Sequence, residues 1–515
     1  MRHYRLSLWT LALWLLICLP LSATEWAFPI QFDKSVRKEA YTGRVYLFFG
    51  KGNREPRRGP NWFRPGYFAS KDVKNLEPGE SVTLAAKDDD LLFYPEKPLQ
   101  FDPAGYRVQA VMRFNDWPRQ AGTGPGNGYS KAVPVPAEDS DEQFEPLIVD
   151  QIVPQRTFPE TDTVRLLQVD SKLMSDFYDR PVSLNGAVIL PEEYDDDPER
   201  KFPTLYIIPG FGGTHFGYRG MAGLYSPVLR STPLIMVLLD PSCPEGHHVF
   251  ADSDVNGPWG TALVTEFIPA LEKQHRAIPH REARYLTGHS SGGWSSLWLM
   301  VSQPETFAAT WSTSPDPVTF EDFQQIDLYA KKANMYRDEE GEKRPIARVG
   351  GEVRLWYQGF DHMETVLGHG GQLRSFEAVF GPRQKDGSPV PAWDRSTGEI
   401  FPKTIEHWKR YDIVKRLEQN WDDWKPRLAG RIHVHMGTKD TFYLEGATEI
   451  LKVKMTELGE PDAVTMHEGK THGSVLTRDL MTQIGGEIAA HYEKYFQPDR
   501  TLKADDGKPR TDANR

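Results

Sequence analysis

Two hydrophobic rhythms divide this chain. Between residues 24 and 154, short stretches alternate apolar and polar positions, as in Gly105-Tyr106-Arg107-Val108-Gln109-Ala110-Val111-Met112. Others are compactly apolar, as in Arg44-Val45-Tyr46-Leu47-Phe48-Phe49, and turn residues such as Glu77-Pro78-Gly79-Glu80 punctuate them. A period of two puts successive side chains on opposite faces of a strand. Short strands between Pro, Gly and Asp clusters predict a β-sandwich of roughly immunoglobulin-like class.

From residue 155 the pattern changes. Residues 164–169 and 182–190 read as paired strands. Continuous apolar runs then appear at 204–208, 234–239, 285–287, 308–311, 431–436 and 463–467. Helical periodicity falls between them, at 259–275, 294–301, 445–458 and 477–496. This alternation predicts a parallel sheet covered by helices, the α/β class. It breaks off between 318 and 424, a mixed, aromatic-rich stretch with one helix expected near 405–418. A structureless loop of that length is implausible, so an inserted, lid-like subdomain is expected there.

The length of 515 residues fits at least two domains, and 39% hydrophobic against 26% charged residues fits packed cores. The boundaries read as a signal peptide at 1–23, an N-terminal β domain at 24–154, an α/β domain at 155–498 with its insertion at 318–424, and a polar tail at 499–515. The acidic stretch 136–145 reads as a linker. Arg2 and Arg5 precede an apolar run at 6–19, and cleavage fits after Ala23. A secreted or periplasmic location follows, with no stable membrane insertion once the signal is removed. Only Cys243 then remains, so no intrachain disulfide can form. The net charge of −11 argues against nucleic acid or an anionic membrane surface as partner.

The strongest chemical signal is Gly288-His289-Ser290-Ser291-Gly292, a G-x-S-x-G pentapeptide between a strand and a helix. In that setting the turn lifts the serine hydroxyl above the sheet edge, and the glycines clear neighbouring chain. A Gly/Ser turn without chemistry has the same letters, so partners decide the matter. A serine nucleophile needs a base, an orienting acid and donors for the oxyanion. Asp440 follows one strand and His472 the next, in the order Ser, Asp, His. Asp316 also follows a strand and competes for the acid, with a place in the pocket wall as its other reading. His467 competes for the base but falls within a strand, and His433 and His435 alternate along one. His247 and His248 with Asp252 and Asp254 lack metal-ligand spacing, and the acidic run at 338–342 lacks the full spacing of a calcium loop, so neither metal nor cofactor is expected. His289, Trp259 and Phe250 are candidate pocket residues, and Trp62, Phe63 and Tyr67 read as core aromatics before substrate contacts.

These residues, with Gly210-Phe211-Gly212-Gly213 and Gly257-Pro258-Trp259-Gly260, resemble the esterase D-like branch of the α/β-hydrolases. That branch includes feruloyl and acetylxylan esterases. The similarity covers residues 182–317 and 431–495. It implies Ser290 as nucleophile, His472 as base and acid, and Asp440 as orienter. It also implies an oxyanion hole from the Ser291 N–H with that of Phe211 or Gly212. The expected activity is a secreted serine esterase acting on small-molecule or carbohydrate-linked acyl or feruloyl esters. A peptidase of the prolyl oligopeptidase kind shares the motif and triad order but normally carries propeller repeats, which this sequence lacks. An acyltransferase differs only in its acceptor. A non-catalytic binding protein has no use for three intact catalytic residues.

Overall fold

The computed structural model describes residues 26–95, 97–136 and 144–495. The expected signal peptide, most of the expected linker and the polar tail lie outside them. The N-terminal strands hydrogen-bond into one nine-stranded sheet, where the sequence predicted a sandwich of two. Near one end of the sheet Ala27–Phe32 pairs antiparallel with Val82–Ala85 and parallel with Leu147–Ile152. Gly128–Ser130 links Leu147–Ile152 to Arg107–Met112 and so keeps the strands in one sheet.

The strand Tyr41–Gly50 has both faces buried. Val45, Leu47 and Phe49 pack with Trp26, Phe28 and Phe93 in a core inside the N-terminal region. Tyr46 and Phe48 point the other way, into the large core shared with residues 318–424. Hydrogen bonds reinforce that contact. Tyr46 Oη donates to Leu367 O (2.8 Å), Ser70 Oγ to Val366 O (2.7 Å) and Arg44 Nη1 to Thr365 O (2.8 Å). These are the orphan carbonyls at the end of the helix Tyr357–Leu367.

The second sheet has eight strands: β1 (Val164–Asp170), β2 (Ser183–Ile189), β3 (Thr204–Ile208), β4 (Ile235–Leu239), β5 (Arg284–His289), β6 (Ala309–Thr313), β7 (Ile432–Gly437) and β8 (Val464–His467). Their spatial order is β1-β2-β4-β3-β5-β6-β7-β8. β2 runs antiparallel to β1 and β4, and the pairs from β4 to β8 are parallel. Every residue of β3, β4 and β6 is buried, as continuous apolar runs covered on both faces require. The fold is mixed α/β.

The helix expected at 259–275 forms with a π-type turn at Leu263–Phe267, just before Pro269, which has no N–H to contribute. Between β6 and β7 the chain builds more than the one expected helix. A hairpin pairs Pro345–Val349 with Glu352–Trp356, and the helices Tyr357–Leu367, Gln372–Phe380, Pro402–Trp408 and Ile413–Leu428 follow. Asp412 caps the last, accepting from Lys415 N (2.9 Å). The helix Gln372–Phe380 is capped from a distance. The Glu364 carboxylate accepts N–H bonds from Gln372 (2.6 Å), Leu373 (3.1 Å) and Arg374 (3.2 Å).

Candidate active site

Ser290 sits between β5 and the helix Ser291–Ser302 with φ 61° and ψ −126°, a conformation costly for a residue with a Cβ. The surroundings hold it there. Its N–H donates to Thr313 O on β6 (3.1 Å), and its carbonyl accepts from Trp294 N (3.0 Å) and Asp316 N (3.2 Å). The flanking glycines are steric necessities. A Cβ on Gly288 would overlap the Gly292 carbonyl, and one on Gly292 would overlap the Ile208 carbonyl of β3.

Asp440, after β7, is fully buried, and its Oδ2 lies 2.8 Å from His472 Nδ1, after β8. Its Oδ1 accepts Phe442 N–H (2.8 Å), and the Phe442 ring meets the His472 ring edge-on at 5.0 Å. Ser314 Oγ donates to the His472 carbonyl (3.3 Å). His472 is therefore held by an acid, an aromatic wall and a backbone contact. The His289 ring is 4.5 Å from it. Burial, and then the neighbouring His472, push His289 down to about 3, so His289 is a neutral wall.

Asp316 is a second carboxyl at this edge. Ser290 Oγ donates to it at 3.5 Å, Ser291 Oγ at 2.5 Å and Gln372 Nε2 at 3.2 Å. Burial raises it to about 6, against the lowering effect of Ser291, His472 and Gln372. His467 lies elsewhere, 3.1 Å from His435, and His433 stacks on Trp311.

Residues 181–499 match the model of the family described as putative esterase. The chain belongs to this esterase family. It is a carboxylic-ester hydrolase. Solved structures similar to it include a ferulic acid esterase, with 16% identity, TM-score 0.41 and coverage of 64% of this chain and 98% of that one. Others are an S-formylglutathione hydrolase from Agrobacterium tumefaciens (15%, TM-score 0.37, 64% and 95%) and Est1E from Butyrivibrio proteoclasticus (14%, TM-score 0.35, 63% and 97%). No curated protein sequence matches the chain.

In this esterase the Gly-rich loop after β3 presses on the serine turn. A Cβ on Gly210 would come within 3.1 Å of Ser290 Cβ. Among the described residues, the N–H groups of Phe211 and Gly212 make no hydrogen bond within the protein, while Ser291 heads its helix. Two histidines hold this loop: His215, which sequence reasoning left unassigned, and His247, which it weighed as a metal ligand and read instead as part of a solvated loop, but which is buried. His215 Nδ1 lies 2.7 Å from Asp240 Oδ2 at the end of β4. His247 Nε2 donates to Pro209 O (3.0 Å) while its Nδ1 accepts from Val249 N (3.1 Å). Burial keeps His247 neutral, at about 4.

A cavity of about 40 Å³ opens at Ser290, lined also by Asp316, Gln372, Leu355, Phe376, Phe442 and Trp62. Three expected pocket residues, His289, Phe250 and Trp259, are absent from its lining. Phe250 packs edge-on against His248, which stacks flat on Trp259 at 4.0 Å. Trp259 instead borders a separate cavity with Asp240 and Cys243. Trp62 was expected in a core but reaches the site from the N-terminal region, stacking on Phe211 at 5.6 Å. Gln372 carried no sequence signal, because no motif precedes its helix. Among the described residues, no group of three or more His, Cys, Asp or Glu side chains could hold a metal ion, and no helix is long and apolar enough to cross a membrane.

Proposed function

We propose that this esterase is an α/β-hydrolase that cleaves short-acyl esters through a Ser290–His472–Asp440 triad and an acyl-enzyme. The observation that carries the reading is the 2.8 Å contact of His472 Nδ1 with Asp440, at the sheet edge where Ser290 holds its positive φ. Asp440 directs the Nδ1 proton of His472 to itself and leaves Nε2 as base. Ser290 Oγ attacks the ester carbonyl as its proton passes to His472. The N–H groups of Ser291 and of Phe211 or Gly212 receive the oxyanion, each contributing about 3 kcal/mol. The proton then goes to the departing alkoxide, and water repeats the sequence on the acyl-enzyme.

The cavity at Ser290 supports a short acyl group. A water needs roughly 10–15 Å³ of such space. The about 40 Å³ here suits an acetyl group and is too small for a feruloyl group. The signal pattern of residues 1–23 supports release from the cytoplasm, where acetylated small molecules or sugars are the proposed substrates.

The test is hydrolysis of p-nitrophenyl esters of increasing chain length by the purified chain, with Ser290→Ala alongside. Acetate should be the best substrate, and Ser290→Ala should abolish turnover and fluorophosphonate labelling. Turnover that survives in Ser290→Ala would reject the nucleophile.

A further inference from the structure

The wall that Trp62 presents to Ser290 has a second side. There a cavity of about 500 Å³ lies between the N-terminal sheet and the Gly-rich loop, lined by Arg57, Trp62, Arg119, Phe211, Glu364 and Gly370. It is over ten times the size of the cavity at Ser290. An ester with a small acyl group and a large alcohol would therefore use both spaces. Phe211, whose N–H is proposed for the oxyanion, closes this larger space with its ring.

Its charges are unevenly satisfied. Arg57 and Arg58 both pair with Glu55, at 2.9 and 2.7 Å. The Glu364 carboxylate is occupied by backbone N–H groups of the helix Gln372–Phe380. Arg119 is different. Among the described residues no carboxylate lies within ion-pair distance of it. With the Gln120 amide oxygen turned toward it, its Nη2 and Nε donate to that neutral oxygen at 2.8 and 3.1 Å. Its guanidinium lies over the Phe211 ring, 4.5 Å from the centroid. A Cβ on Gly212 would meet Nη2 at 2.5 Å. Burial lowers Arg119 to about 10, opposed by the charge of Glu364, so it is still a cation at neutral pH. A largely buried cation with no carboxylate at ion-pair distance is costly, and an anionic ligand group offsets that cost.

We propose that this cleft binds the alcohol half of the ester, and that Arg119 selects alcohols carrying an anionic oxygen group, a carboxylate or a phosphate. The proposal rests on the esterase reading above for which half lies where. It makes the N-terminal region part of the substrate site, with Trp62 as the partition between the two halves. Arg119 recognises substrate here and takes no part in proton transfer.

The experiment compares kcat/KM for phenyl acetate, 3-carboxyphenyl acetate and 3-acetoxyphenyl phosphate. The unaltered enzyme should prefer at least one anionic ester by about tenfold or more, the scale of one charge-assisted hydrogen bond. The preference should shrink as salt rises. Arg119→Gln should remove it, and Arg119→Lys should retain part of it. The carboxylate and phosphate esters tell the two anion sources apart. Equal kcat/KM for all three in the unaltered enzyme, or a preference that Arg119→Gln leaves intact, would overturn the proposal. Should Arg119→Gln fail to fold, the salt series on the unaltered enzyme decides: a preference that does not move with salt rejects the site. A second measurement separates this proposal from the esterase reading. Calorimetry of Ser290→Ala with 3-hydroxybenzoate and phenyl phosphate reads the anion site without turnover. Binding lost in the added Arg119→Gln would support the site even if no ester were cleaved, and no binding beside normal ester hydrolysis would reject the site alone.

Discussion

Ser290 shows what a single residue needs from its neighbours. Its φ of 61° persists because two glycines remove the collisions and backbone bonds to β6 lock the turn. Gly292→Ala should therefore yield insoluble or unfolded protein, checked by circular dichroism, since its Cβ would enter the Ile208 carbonyl. The two carboxyls beside Ser290 have different partners. Asp440 holds His472, whereas Asp316 is engaged by Ser291 and Gln372. Asp440→Asn should lower kcat by roughly 10³–10⁴. Asp316→Asn should cost less than about tenfold, the range of one neutral hydrogen bond. The reverse ranking would reassign the acid. His472→Ala should remove turnover and His467→Ala should not, because His467 contacts His435 and not the site.

At the level of elements, the hairpin Pro345–Val349 with Glu352–Trp356 is tied to the Asp440 turn. Arg348 N donates to Thr441 O (2.8 Å), Arg348 Nε to Asp440 O (2.9 Å), and the guanidinium pairs with Glu445. Ile346 and Leu355 of the same hairpin line the cavity at Ser290. Arg348→Ala should thus loosen the acid and the pocket together. The expected outcome is a kcat reduced by about tenfold with a modest loss of stability, the scale of lost hydrogen bonds to a charged group. A kcat unchanged within twofold would show that the turn holds Asp440 unaided. The helices of this segment carry weak start signals in the sequence. Tyr357–Leu367 and Gln372–Phe380 follow Trp356 and Gly371, neither with a side-chain cap. The second is capped by Glu364 from another element, a contact that exists only after folding.

The whole molecule carries opposing sets of buried titratable groups. Burial lowers His247, His369, His435 and His491 to about 4 and His289 to about 3. Burial raises Asp316 to about 6, Glu364 to about 7 and Glu377 to about 8. A histidine lowered on folding binds its proton more readily when unfolded, so those five groups cost stability as pH falls from 6.5 toward 4. A carboxyl raised on folding holds its proton longer in the native state, so those three cost stability as pH rises from about 4 to 8. Above pH 6.5 only the carboxyls act. The thermal midpoint should therefore peak near pH 6–6.5 and fall toward pH 8, as measured by calorimetry, and Glu377→Gln should flatten the alkaline side. A midpoint still rising to pH 8 would reject this balance. Removing residues 26–154 should expose Tyr357–Leu367 and yield an aggregating protein, because Tyr46, Ser70 and Arg44 satisfy its last carbonyls.

The sequence by itself determined the alternation of the second sheet and the order of its chemical residues. Continuous apolar runs of five or six residues between turn signals, such as Thr204–Ile208, are too short for buried helices and read as buried strands, and a catalytic G-x-S-x-G turn sits between a strand and a helix. Those signals are local, since each is written within ten residues. Tertiary structure decided what local pattern cannot encode. The N-terminal strands joined into a single sheet through pairings between distant segments, such as Ala27–Phe32 with Leu147–Ile152 and Gly128–Ser130 with both Arg107–Met112 and Leu147–Ile152. His248 drew Phe250 and Trp259 away from the pocket, and Trp62 entered it from over two hundred residues away in the chain. An aromatic side chain gains from burial in any direction, so its sequence marks that it packs and only the fold says against what.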